Sequence, residues 1–115
     1  MKKVIALCIM FCLLNGLAIA KDEALTYPDG SEYVGQVKNG KANGKGTLTW
    51  PDGRKYTGQW ENGNRHGKGT MTVPNGPKYV GEFKDDHVHG KGILYNPDGS
   101  VHTKGTFQDG KYIGE

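Results

Sequence analysis

Cysteine is confined to Cys8 and Cys12, so a disulfide framework and a thiolate metal site are both excluded from everything that follows the first twenty residues. Stability there has to come from packing and backbone pairing. A long hydrophobic run is missing as well. The only sustained apolar stretch, Val4 to Leu14, falls short of the roughly 20 residues that a membrane helix requires. It follows Lys2 and Lys3 and precedes Ala18-Ile19-Ala20, which together give the basic start, apolar middle and small-x-small end of a secretory signal peptide. Residues 1–20 are therefore expected to be a signal peptide cleaved after Ala20. Residues 21–115 are then the single folded domain, and the protein is exported to the periplasm or the extracellular space.

Charge of one sign is also lacking. Loss of Lys2 and Lys3 lowers the formal charge from +3 to +1, with lysines and carboxylates interspersed along the remaining chain. Nucleic-acid binding relies on a concentrated basic surplus. Nucleic acid is therefore not an expected partner. A helical apolar period is absent after residue 20, so no helix is available to cover a sheet as a second layer.

Glycine is abundant, at 19 of 115 residues, and it is periodic. At an offset of 23 residues Tyr33, Tyr56 and Tyr79 fall into one column, and so do Gly35, Gly58 and Gly81, then Gly44, Gly67 and Gly90, then Gly46, Gly69 and Gly92, then Gly53, Gly76 and Gly99. A further column, Gly40 and Gly63, is broken by Asp86. After Gly99 the register slips by one residue, and Gly105, Phe107 and Gly110 begin an incomplete fourth copy. The units are read as 33–55, 56–78, 79–101 and a partial 102–115.

Each unit alternates with period two in two segments. Tyr33, Gly35 and Val37 share one face, as do Gly46, Leu48 and Trp50, and the pattern recurs down the chain. Asn39-Gly40, Asn62-Gly63 and Asp109-Gly110 mark a longer turn within each unit. Pro51-Asp52-Gly53, Pro74-Asn75-Gly76 and Pro97-Asp98-Gly99 join successive units, with glycine in the left-handed position. Asp85-Asp86 replaces the first kind of turn in the third unit. Asp at a left-handed position is strained, so this loop is expected to be the least rigid.

The Tyr-x-Gly and Gly-x-Gly elements at Tyr33-Val-Gly35 with Gly44-Lys-Gly46, and at their two repeats, strongly resemble the MORN repeat family. The resemblance covers nearly all of the chain after the signal peptide, roughly Tyr27 to Gly114. It implies hairpin repeats and roles in scaffolding, membrane-proximal complexes or lipid binding, and no particular reaction. The expected fold is accordingly all-β, a single-layer antiparallel meander of about seven strands. Edge self-association or capping by a partner is expected, because the end strands expose backbone groups.

Isolated residues invite chemistry that their columns explain away. His66 and His89 occupy the repeat position of Asn43, so His66, His87, His89 and His102 are read as structural, with no metal site and no cofactor. Ser31 and Ser100 follow turn glycines and lack a His and Asp partner, so no catalytic residue is assigned and the chain is not expected to be an enzyme. The expected function is a non-catalytic scaffold that binds a protein partner through its repeat sheet, with Tyr33, Tyr56, Tyr79, Trp50, Trp60 and Phe83 as the binding ladder. The alternative is a peripheral binder of phospholipid, with Lys45, Lys68 and Lys91 meeting lipid headgroups.

Overall fold

The computed structural model describes residues 22–115; the expected signal peptide, residues 1–20, lies outside them. Nine strands follow one another in chain order: β1 Glu23–Thr26, β2 Glu32–Lys38, β3 Lys41–Thr49, β4 Lys55–Glu61, β5 Asn64–Thr72, β6 Lys78–Lys84, β7 His87–Tyr95, β8 Val101–Gln108 and β9 Lys111–Gly114. Every strand pairs antiparallel with its sequence neighbours in one sheet. This is the single-layer meander the repeats imply, with two strands more than the columns foretold. β1 and β9 are four residues each, too short to show an alternation of their own.

Within a unit the connection is shorter than expected. Lys38 pairs directly with Lys41, so Asn39-Gly40 is a two-residue turn with φ of 52° and 77°. Two consecutive positive φ values make the turn whose twist matches the strands it joins. The length expected of the turn is taken up instead by a bulge in the strands, between the pairs Val37–Ala42 and Gly35–Gly46. β4–β5 and β6–β7 repeat it. Between units, Asp29, Asp52 and Asp98 each accept a bond from the backbone N–H two residues on, at 2.8, 3.0 and 2.9 Å. Gly30, Gly53 and Gly99 take positive φ, whereas in the second joint Asn75 does so at 55°. Pro77 is the reason, since a residue before proline is held in extended conformations and Gly76 precedes it. The slip after Gly99 appears as a bulge in β7–β8, where Leu94 pairs with Thr103 and Tyr95 with Val101, leaving His102 over.

The core lies on one face of the sheet. A row of paired glycines crosses it, Gly35–Gly46–Gly58–Gly69–Gly81–Gly92–Gly105, and the tyrosine rings lie on this row. A Cβ at Gly46, Gly69 or Gly92 would collide with the ring of Tyr33, Tyr56 or Tyr79. The rings then interlock edge to face in a continuous zigzag from Tyr33 to Trp60 (5.3 Å between centroids), Tyr56 (5.0 Å), Phe83 (4.9 Å), Tyr79 (5.2 Å) and Phe107 (5.3 Å). Such contacts add about 0.5–1.5 kcal/mol each beyond the burial of area. Leu25, Val37, Leu48, Trp50, Met71, Val88 and Leu94 close around the zigzag.

Candidate binding surface

The bulge in each unit leaves backbone groups without ladder partners, and two side chains from the same unit supply them. The Tyr33 hydroxyl donates to the carbonyl of Gln36 at 2.6 Å, Tyr56 to that of Gln59 at 2.8 Å and Tyr79 to that of Glu82 at 3.0 Å. On the opposite face the same residues accept: the Lys45, Lys68 and Lys91 N–H groups donate to Oε1 of Gln36, Gln59 and Glu82 at 2.7, 3.0 and 3.0 Å. Tyrosine, glycine and a Gln or Glu thus act as one device. Burial pushes the Tyr33 and Tyr56 phenols up to about 12 and raises that of Tyr79. All three are neutral donors at any physiological pH.

This arrangement corrects the expectation placed on the aromatic ladder. Tyr33 and Tyr56 are fully buried, and Tyr79, Trp60 and Phe83 are no more than 7% exposed. They hold the sheet together and present no contact surface, because a single layer has no other place for a core. Of the six residues in that ladder Trp50 alone stays half-exposed. The guanidinium of Arg54 lies 4.8 Å from the centre of its ring and that of Arg65 lies 5.9 Å away.

Arg65 stands where the first unit has Ala42 and the third has Val88. It is bound to Asp86, which stands where the earlier units have glycine. Arg65 donates from its backbone N–H and Nε to Oδ1 of Asp86, both at 2.9 Å, and from a terminal nitrogen to the Asp86 carbonyl at 2.8 Å. The Asp86 N–H donates back to the Arg65 carbonyl at 3.0 Å. The turn expected to be the least rigid is therefore the most heavily tethered, despite φ of 48° at Asp85 and 73° at Asp86. Partial burial of the Asp86 carboxyl opposes ionisation, but the bonds and charge from Arg65 outweigh it and lower the pKa.

The second face of the sheet is open to solvent. By register it carries three rows that cross the strands. The first runs Gln36, Lys45, Gln59, Lys68, Glu82, Lys91 and Thr106, with Lys45, Lys68 and Lys91 all exposed. The second is Val34, Thr47, Thr57, Thr70, Val80, Ile93 and Lys104, and the third includes Glu32, Thr49, Lys55, Thr72, Lys78 and Tyr95. Six lysines lie in these rows against Glu32 and Glu82, whereas Asp29, Asp52 and Asp98 occupy the turns at one margin and Asp85, Asp86 and Asp109 those at the other.

This recurrent unit decides the family. The MORN repeat matches residues 33–53, 56–78 and 79–101. The chain belongs to the MORN repeat family. Among curated proteins none matches it. MORN repeats generally serve as non-catalytic modules, and they often mediate protein or lipid interactions.

The histidines are dispersed on the MORN sheet. His66 Nε2 lies 3.3 Å from a carboxylate oxygen of Glu61, and His102 Nδ1 lies 2.7 Å from the Thr103 hydroxyl. Among the described residues no group of three or more His, Cys, Asp or Glu is placed to hold a metal ion. The Ser31 and Ser100 hydroxyls are spent on the turn, donating to Asp29 and Asp98 at 2.6 Å. These bonds, from hydroxyl first and backbone second, hold both carboxyls below their ordinary value. Sequence reading missed the Gln36/Gln59/Glu82 device and the Arg65–Asp86 pair. The first was visible as a column that always offers a side-chain oxygen, the second as two departures from the repeat that are neighbours in space.

Proposed function

We propose that this MORN protein is an exported, non-catalytic scaffold that binds a protein partner through the open, lysine-bearing face of its sheet. One observation carries this reading: the aromatic core is complete on one face, so the other, where only the Gln36, Gln59 and Glu82 side chains are engaged in holding the bulges, keeps its lysine rows exposed. The basic and apolar start of the sequence supports export. Crosslinking of the tagged protein in its own cells, followed by mass spectrometry, is expected to yield a discrete protein partner and a mature N-terminus at Lys21. A chain beginning at Met1, or crosslinks to no protein, would overturn the corresponding half of the reading.

The exposed row Lys45, Lys68 and Lys91 favours a second reading, a peripheral binder of anionic lipid. Co-sedimentation with anionic liposomes that is lost when the three charges are reversed would favour it over the first.

A further inference from the structure

We infer that the lysine-bearing face takes an acidic, extended polypeptide segment lying across the strands; the inference rests on the binding-module reading and names the chemistry of the partner. Two depressions on this face, of about 830 and 560 Å³, share Thr57, Gly58 and Lys68 and so form one shallow trough. It runs perpendicular to the strands, from Val34 on β2 to Lys104 on β8. Six strand spacings make it about 29 Å long, the reach of about eight or nine residues of extended chain.

The lysines are spaced to meet such a chain. Lys45, Lys68 and Lys91 recur every second strand, at about 9–10 Å, which is about three residues of an extended peptide. Lys55 and Lys78 line the row on the far side of the floor, and Lys104 stands at the β8 end. The floor between them is Thr57, Thr70, Val80 and Ile93, with methyl groups and hydroxyls to receive side chains. Of the carboxylates at the trough, Glu82 already accepts from the Lys91 N–H at 3.0 Å, and Asp22 and Glu115 sit towards its two ends.

Charge complementarity selects a narrow ligand. A flat anionic bilayer would rest on the rims and leave the floor of Thr57, Thr70, Val80 and Ile93 unfilled, whereas an extended chain enters the trough and meets Lys45, Lys68, Lys91 and Lys104 in file, with Glu82 the one carboxylate between its ends. Single-stranded nucleic acid binds by stacking bases on aromatic rings, and no aromatic side chain lines the trough. A second copy of the same face would bring lysine against lysine.

The test is fluorescence anisotropy of a labelled peptide of about nine glutamates with the full mature chain at low salt, with an oligolysine of equal length as control. Saturable binding of the glutamate peptide alone is expected, weakening as salt screens the charges. Combined Lys45→Glu, Lys68→Glu and Lys91→Glu should weaken it roughly tenfold or more, from three partly screened pairs. Lys38→Glu with Lys84→Glu, beside the turns, should change it by less than about twofold on the same grounds. Melting curves establish that the variants fold, and replacement of the three lysines by Gln serves if the reversed variant does not. No binding of the glutamate peptide, or equal loss in both sets of variants, overturns the inference. So does binding of phosphatidylserine vesicles or single-stranded DNA without binding of the peptide. A crosslinked protein partner whose capture survives reversal of the three trough lysines would remove the trough assignment and leave the scaffold reading standing.

Discussion

Glycine and tyrosine at the centre of each unit are two halves of one packing decision. The ring of Tyr56 occupies the space that a side chain at position 69 would need. Gly69→Ala should therefore force the ring or the backbone aside and lower stability by about 1–3 kcal/mol, the usual cost of overpacking. Thermal unfolding followed by near-ultraviolet circular dichroism measures it. The same burial sets an alkaline limit. Tyr33 and Tyr56 remain protonated in the fold up to about 12, against an ordinary value of 10.0. Above pH 10 the unfolded chain releases protons that the folded chain retains, so stability falls between about pH 10 and 12 and is undiminished below. Denaturant midpoints that stay constant from pH 9 to 12 would contradict this account of the core.

The strands and the positions of the turns between them follow from local signals that act within a few residues. Asn-Gly pairs, Pro-Asp-Gly joints and strict alternation were enough to place β2 to β8 and to assign residues to faces. β1 and β9 were not legible, since Glu23–Thr26 and Lys111–Gly114 owe their extended form to pairing with a longer neighbour. The bulge was hidden too, because it is specified by contact between Gln59 and Lys68, nine residues apart, and not by either segment alone. The ladder was read correctly as a stack and misplaced as a surface: sequence gives the face of a residue, but whether that face is covered depends on the rings from the next unit.

The third hairpin shows how one departure from the pattern is offset by another. Asp86→Gly would relieve a positive φ and remove the two bonds to the Asp86 carboxylate, while Arg65→Ala would leave Asp86 strained and without its guanidinium partner. The double variant restores the Ala42 and Gly63 arrangement of the first two units, in which the glycine N–H still reaches the carbonyl across the unit boundary at 2.8 Å. It should lose less stability than the sum of the single variants, with a coupling of about 0.5–3 kcal/mol. Strict additivity in a double-mutant cycle would show that the pair is not a unit.

At the scale of the molecule every strand is hydrogen-bonded in the sheet only to its sequence neighbours, the rings reach one hairpin further, and the largest extent of the fold is 47 Å. Stability in such an array is a sum of unit and neighbour terms. Backbone protection should fall from β4–β6 in the centre towards β1 and β9, whose ladders are four and three pairs long. Hydrogen exchange resolved by residue tests this, and uniform protection across all nine strands would indicate a sheet that opens only as a whole.

Each turn amide closes on the carbonyl of the unit before it, from Gly63 to Ala42, from Asp86 to Arg65 and from Gly110 to Val88. A copy therefore arrives already carrying the fastening for its predecessor and offers the same socket to its successor. Duplication of 23 residues needs no new interface to be devised. Length in this protein is an adjustable quantity, and each inserted hairpin would lengthen the molecule like another division marked on a ruler.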